Sequence, residues 1–393
     1  YMNHLNSIYQ RLQSNYSDCD ITCAPGLLTV KCKNGEIRAD GFRTCFLEDG
    51  KTVQELLKKG ADIVSFSGTG ENSTYDFMIE NNMALDIYPY MQQDQEFADS
   101  ISEVNKEYWS TENGELYSVA DARMLSGGYW YNEDILRAAG IEKVPKSWDE
   151  FQTMCNQISE WALNEKNEVK ALQPTVEGCL YCMDHMLAGS ENSRFEGHNL
   201  IFQDEIFNNA INRMKRMHNS AISENADYSY RDETHLFNEG KLAIYINGVW
   251  GAPMISKQID AKYALLPTDE GESMSCISSG LGYVLGNSGN EEKEKAAVKF
   301  LKYILSKKVQ TKILEKTEQI PANPDISLES YKENKSRLYQ AATLVLEADE
   351  KIEVPNNIWS AEQKDYFTEK YFSLMMETGI SCPVQILNAF APW

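Results

Sequence analysis

Trp250 is the side chain in this sequence best placed for recognition chemistry. It stands in the run Asn247-Gly248-Val249-Trp250-Gly251, directly after the short apolar stretch 242–246. An indole offers a flat apolar face and one N–H donor, so it can stack on another flat apolar surface and hydrogen-bond at its edge. Residues 237–241 end a helix, with Gly240 where left-handed backbone is tolerated, and 242–246 reads as a strand. The glycines on either side of the indole let the backbone turn sharply at the strand end. In an open α/β sheet, ligands bind beyond the carboxyl ends of the strands, where this places Trp250. The competing reading is a ring that closes the core.

Covalent and metal chemistry find little to work with. There is no HExxH, no GxSxG and no P-loop, and the five histidines, His4, His185, His198, His218 and His235, are dispersed. Acid pairs for glycoside hydrolysis remain open, because such a pair is spatial and the chain has 59 acidic residues. Cys179 and Cys182 have CxxC spacing, but no second CxxC or histidine pair completes a zinc set, so they are expected to hold no metal. Nine cysteines cannot all pair within one chain, and four of them, Cys19, Cys23, Cys32 and Cys45, fall in a segment that could form a disulfide-tied hairpin insert. Gly68-Thr69-Gly70-Glu71-Asn72-Ser73 lacks the third glycine of a dinucleotide turn and is a ligand-facing loop instead. No cofactor is expected.

Composition narrows the partners. The 393 residues call for two domains, and 42% hydrophobic residues with 11% aromatic suffice for packed interiors. A formal net charge of −22 repels phosphate backbones and anionic bilayers, so nucleic acid is not an expected partner. No run approaches 18 apolar residues, and the chain opens directly on a helical pattern, Leu5, Ile8, Tyr9 and Leu12, without a signal peptide. Either the protein is cytoplasmic or a leader has been removed.

The elements that must position Trp250 follow from pattern. Helix 4–16 precedes a strand at 19–24 and a hairpin-like excursion over 27–46. A short helix at 53–59 leads to a buried strand at 62–66, and a strand at 116–120 runs into Asp121, with Gly127-Gly128 opening another at 129–132. Helices are expected at 135–140, 148–161, 204–219, 235–240, 291–306 and 308–315, the second opened by a capping box of Ser147 and Glu150. Beyond 327 the chain is mostly helical. No Pro/Gly-rich tether joins the domains, so short strands near 121–128 and 256–262 must cross between them.

Four segments carry a family resemblance. Phe237, Gly240, Ala243, Ile246, Gly248 and Trp250 lead to Leu266-Pro267. Gly114 and Tyr117 lead to Tyr131-Asn132-Glu133-Asp134, Ala139-Gly140-Ile141 and Ser147-Trp148-Asp149-Glu150-Phe151. The helix 294–304 is followed by Ile320-Pro321-Ala322. In order and spacing this resembles the extracellular, carbohydrate-binding solute-binding proteins of ABC importers, the maltose-binding-protein-like type, over about residues 50 to 385.

The resemblance implies an α/β, two-lobed periplasmic-binding-protein-like fold of type II, with discontinuous lobes joined by hinge strands. Lobe one would comprise 1–121 and 259–308, lobe two 124–255 and 312–393, with crossings about 121–128, 256–262 and 308–312. It implies a ligand closed between the lobes. Phe66, Tyr181, Trp250 and Trp359 would serve as aromatic platforms, with Ser67, Thr69, Asp121 and Arg123 as polar contacts. A sugar suits such a site, because its C–H faces stack on rings and its hydroxyls take charge-assisted hydrogen bonds. The implied partners are a mono- or oligosaccharide and the permease subunits. The implied protein is a monomer outside the cell, a surface lipoprotein or periplasmic, touching the membrane only through an N-terminal lipid anchor absent from this chain. Trp148 recurs in the scaffold part of the pattern and is expected in the core. The alternatives are a peptide- or polyamine-binding protein, a sensor-associated sugar-binding protein and a carbohydrate-active enzyme.

Overall fold

The computed structural model describes residues 62–66, 74–173, 176–189, 204–221, 230–269 and 271–354, together with short strands at 19–24, 27–32, 44–46, 195–196 and 199–200. Three main sheets organise the chain. The first has six strands, in the order β1 (Cys19–Ala24), β2 (Leu27–Cys32), β3 (Thr44–Phe46), β4 (Ile63–Phe66), β14 (Gly282–Leu285) and β5 (Ser118–Ala120). The hairpin excursion extends the sheet, because β2 pairs with β3 and β3 runs parallel to β4. Helices Thr74–Glu80, Glu103–Trp109 and Glu291–Leu305 cover this sheet, and Ile63, Val64, Met78, Trp109, Val119, Val284 and Leu301 fill its core.

The second sheet has the order β12 (Ala261–Leu265), β7 (Gly128–Asn132), β11 (Leu242–Ile246) and β8 (Lys170–Leu172). Every residue of β11 is buried, as expected for a strand covered on both faces. On one face Tyr129, Ile244, Ile246 and Ala264 pack with helices Trp148–Glu165, Val176–Ala188 and Asp204–Ala221. On the other, Trp130, Tyr245 and Tyr263 pack with helix Ser336–Leu346. A separate two-stranded ribbon pairs β9 (Phe195–Glu196) with β10 (Asn199–Leu200).

A third sheet joins these two, in the order β15 (Ile320–Pro321), β6 (Ala122–Ser126), β13 (Met274–Ser278) and β16 (Glu350–Ile352). Only Asp121 separates β5 from β6, and only Gly127 separates β6 from β7. The return passage runs from β13 through 279–281 into β14. Strand β12 was expected to lie beyond the second crossing, in lobe one. It pairs instead with β7 over five residues, from Ala261 opposite Asn132 to Leu265 opposite Gly128. Pattern alone could not assign it, because a short apolar strand satisfies either sheet.

Local signals carry through. Gly240 has φ 69°, in the left-handed region. The Ser147 hydroxyl accepts from the Glu150 amide, while the Glu150 carboxylate reaches past the cap to the Lys146 amide at 2.8 Å. Trp148 is buried in the second sheet's core, edge-on to Phe151. The expected helices at 4–16 and 53–59 lie outside the described residues.

Gly282 fixes how closely the return strand approaches. A methyl group on it would lie 2.2 Å from the Ser118 hydroxyl and 2.4 Å from the Trp109 ring, both fully buried. Gly282→Ala should therefore lower stability by about 1–3 kcal/mol, the usual cost of overpacking a filled core. Urea unfolding measures this, and an unchanged midpoint would contradict the packing.

Candidate functional site

Strands β8 and β11 run parallel, so their carboxyl ends share one edge of the second sheet. Gln173 and Asn247 follow those ends, both buried and polar. The antiparallel strands bring Gly128 and Leu265 to the same edge, which adjoins the joining sheet through Gly127. This is the position where an α/β sheet holds a ligand.

From here the chain turns into a 3-10 helix, Val249–Met254. Trp250 is partly exposed, and its ring meets Tyr181 edge-to-face, with centroids 5.9 Å apart and planes at 63°. Tyr181 comes from helix Val176–Ala188, whose His185 Nε2 lies 3.0 Å from the Leu266 carbonyl at the end of β12. The two aromatics thus belong to different elements, tied to one edge. Neither flanking glycine uses left-handed backbone, contrary to the expectation of a sharp glycine turn: Gly248 has φ −75°. They are needed for space. A methyl group on Gly248 would lie 2.1 Å from the Trp250 ring, and one on Gly251 2.8 Å from Trp130 Nε1.

At the one-residue passage, the Tyr283 hydroxyl donates to the Asp121 carboxylate at 3.2 Å, and the Ala322 amide donates to the Asp121 carbonyl at 3.3 Å. Loss of hydration pushes the Asp121 carboxyl up to about 6, against the Tyr283 hydrogen bond, which favours the charged form. Arg123 Nε donates to the Pro321 carbonyl at 3.1 Å, and burial draws its guanidinium down from its ordinary value. Arg123 therefore holds the joining sheet together, whatever else it touches. Phe66 ends β4 opposite Gly282, which is in turn opposite Ala120, so its backbone is level with the passage. Its side chain, Ser67, Thr69 and Trp359 lie outside the described residues.

The structure thus joins Trp250 with Tyr181, and sets Asp121 in the passage with Arg123 two residues on, in β6. Sequence reasoning missed Tyr283, whose role depends on a contact 162 residues away in the chain. It also missed the buried aromatics bonded to the turn before Trp250, which stand out as a group only once the strands are paired.

Asp121 gives the passage a pH dependence. With a folded-state value of about 6 against an ordinary 3.8, the folded chain holds more protons between those values, and this group's contribution to stability declines as pH rises through the window. Asp121→Asn removes the decline. Its stability relative to the parent should rise between pH about 4 and pH about 7. Burial lowers His185 to about 4, an effect of opposite sign that is common to both proteins and cancels in the difference. Urea midpoints across the range test this, and a difference independent of pH would contradict it.

Comparison with known proteins places this geometry. The solute-binding protein of Streptococcus pneumoniae, solved with the blood group A-trisaccharide, is 23% identical over 86% of this chain and 85% of its own, with a TM-score of 0.67. A chitin oligosaccharide binding protein aligns over 99% of this chain and 93% of its own, at 17% identity and a TM-score of 0.70. Maltose-bound MalE3 of T. maritima aligns over 86% and 85%, at 14% identity and a TM-score of 0.65. At these identities the likeness establishes the two-lobed fold. Among curated proteins, no sequence matches. The model of the bacterial extracellular solute-binding proteins matches residues 49–339, most of the chain. The chain belongs to that family.

Proposed function

We propose that this protein is the binding component of an ABC importer, which holds a mono- or oligosaccharide between its lobes and delivers it to a membrane permease. The observation that carries the reading is Trp250, a partly exposed indole set against Tyr181 at the carboxyl-end edge of a buried sheet, beside the passage between lobes. A ring held in this way offers a stacking face to the C–H surface of a sugar. The structural relatives were solved with, or named for, the blood group A-trisaccharide, chitin oligosaccharide and maltose, which supports a carbohydrate ligand. The protein acts by binding rather than by turnover.

In this proposal the lobes follow the sheets. Lobe one comprises the segments of the first sheet and helix Glu291–Leu305, lobe two those of the second, and the passages lie at Asp121, at 279–281 and at Ser306. Ligand that touches both lobes favours the closed arrangement by its differential contacts. The protein works as a monomer at the cell surface or in the periplasm, tethered by a lipid anchor in the former case. No helix among the described residues is long and apolar enough to cross a membrane.

A thermal-shift screen tests the reading directly, with the blood group A-trisaccharide, chitin oligosaccharides, maltose, tagatose and ribitol as the panel. At one hundred times Kd, a ligand specific to the native state adds about 2.7 kcal/mol. The active sugar should then bind Trp250→Ala more weakly by about 1–3 kcal/mol, the scale for removing an aromatic anchor. Because the ring is partly exposed, unfolding of the variant should change little. Unchanged affinity with a large loss of stability would make Trp250 a core residue instead.

A further inference from the structure

Three aromatic residues stand side by side across three neighbouring strands, Tyr245 opposite Trp130 and Trp130 opposite Tyr263. All are buried on the face of the second sheet packed by helix Ser336–Leu346. Each ends in a polar atom, and all three atoms converge on one turn. The Tyr263 hydroxyl donates to the Asn247 carbonyl at 3.1 Å, and Trp130 Nε1 donates to the Gly248 carbonyl at 2.9 Å. Asn247 Nδ2 donates to the Tyr245 hydroxyl at 2.7 Å, while its Oδ1 accepts from the Gly248 amide at 2.9 Å.

Two successive carbonyls held by buried donors fix two successive peptide planes. Without Tyr263 the Asn247 carbonyl would carry the cost of an unsatisfied buried polar group, while the Gly248 carbonyl, which also accepts from the Gly251 amide at 3.0 Å, would lose the second of two donors without Trp130, so the bonded turn is the favoured geometry. That geometry brings the Trp250 ring down onto Gly248. The Gly248 backbone, at φ −75°, is open to any residue, so its lack of a side chain serves only to admit the ring.

We infer that Trp130, Tyr263 and Gly248 are positioning residues for Trp250, the two buried donors setting the turn and the glycine providing the surface against which the indole is held. They do not contact ligand. The functional meaning of this inference rests on the stacking role proposed for Trp250, but the geometric claim stands without a ligand and is tested without one.

The test is 19F NMR of the ligand-free protein labelled with 5-fluorotryptophan, with the Trp250 resonance assigned by its loss in Trp250→Phe. Gly248→Ala adds one methyl group at a backbone angle alanine adopts freely, and should displace the ring, shifting or broadening the Trp250 resonance. Trp130→Phe and Tyr263→Phe keep a ring and lose only the donor, apart from the smaller size of the former. Each should move the same resonance while that of Trp148, in the core on the other face, stays. Ile158→Val, in that same opposite core, controls for a general loss of stability and should leave Trp250 unmoved. If Trp130→Phe does not fold, Tyr263→Phe decides. A Trp250 resonance unchanged in both Gly248→Ala and Tyr263→Phe would overturn the inference while leaving the sugar reading intact. A moved resonance in a protein that binds no sugar would do the reverse.

Discussion

A single residue, Asp121, stands between the last strand of the first sheet and the first strand of the joining sheet, and the rest of the molecule depends on that constraint. Ala120 is paired to Gly282 on one side, and Ala122 to Pro321 on the other. Between two paired residues there is room for rotation about a few backbone bonds and little else. Under the proposed division into lobes, this leaves bending as the motion at this point, the motion by which hinged proteins close on ligand.

The same economy explains the chemistry near the passage. Tyr283 donates to Asp121, and Arg123 reaches the Pro321 carbonyl, so polar groups drawn out of water by the crossing have partners close by. Trp250 is held by different means. In the positioning inferred above, the turn that carries it is set by a row of buried aromatics, whose packing against helix Ser336–Leu346 belongs to the stability of the lobe. Stability and recognition therefore share residues, and a platform held in advance loses less entropy on binding than one that must be ordered by its ligand.

The parts of this arrangement that depend on neighbours in sequence could be read directly. The Ser147 cap, the left-handed Gly240, the strand 242–246 and the strand end before Asp121 all declare themselves within a few residues. The parts that depend on pairing could not. Strand β12 has the pattern of a buried strand and nothing that says which sheet it joins. Nothing in the local sequence marks Trp130, and only its alignment with Tyr245 and Tyr263 reveals three polar tips on one turn. Gly248 makes room for a ring rather than turning the chain, and a sequence cannot distinguish the two kinds of glycine. Of the residues singled out for the site, Trp250 and Tyr181 meet, Asp121 sits in the passage and Arg123 in the strand after it. Chain-distant Tyr283 left no local mark.

Small-angle scattering with and without the sugar selected by thermal shift tests hinged binding most directly. Closure about the passage at Asp121 predicts a smaller radius of gyration at saturating sugar, with no change in molecular mass. An identical scattering profile at saturation, with binding verified in the same sample, would contradict it.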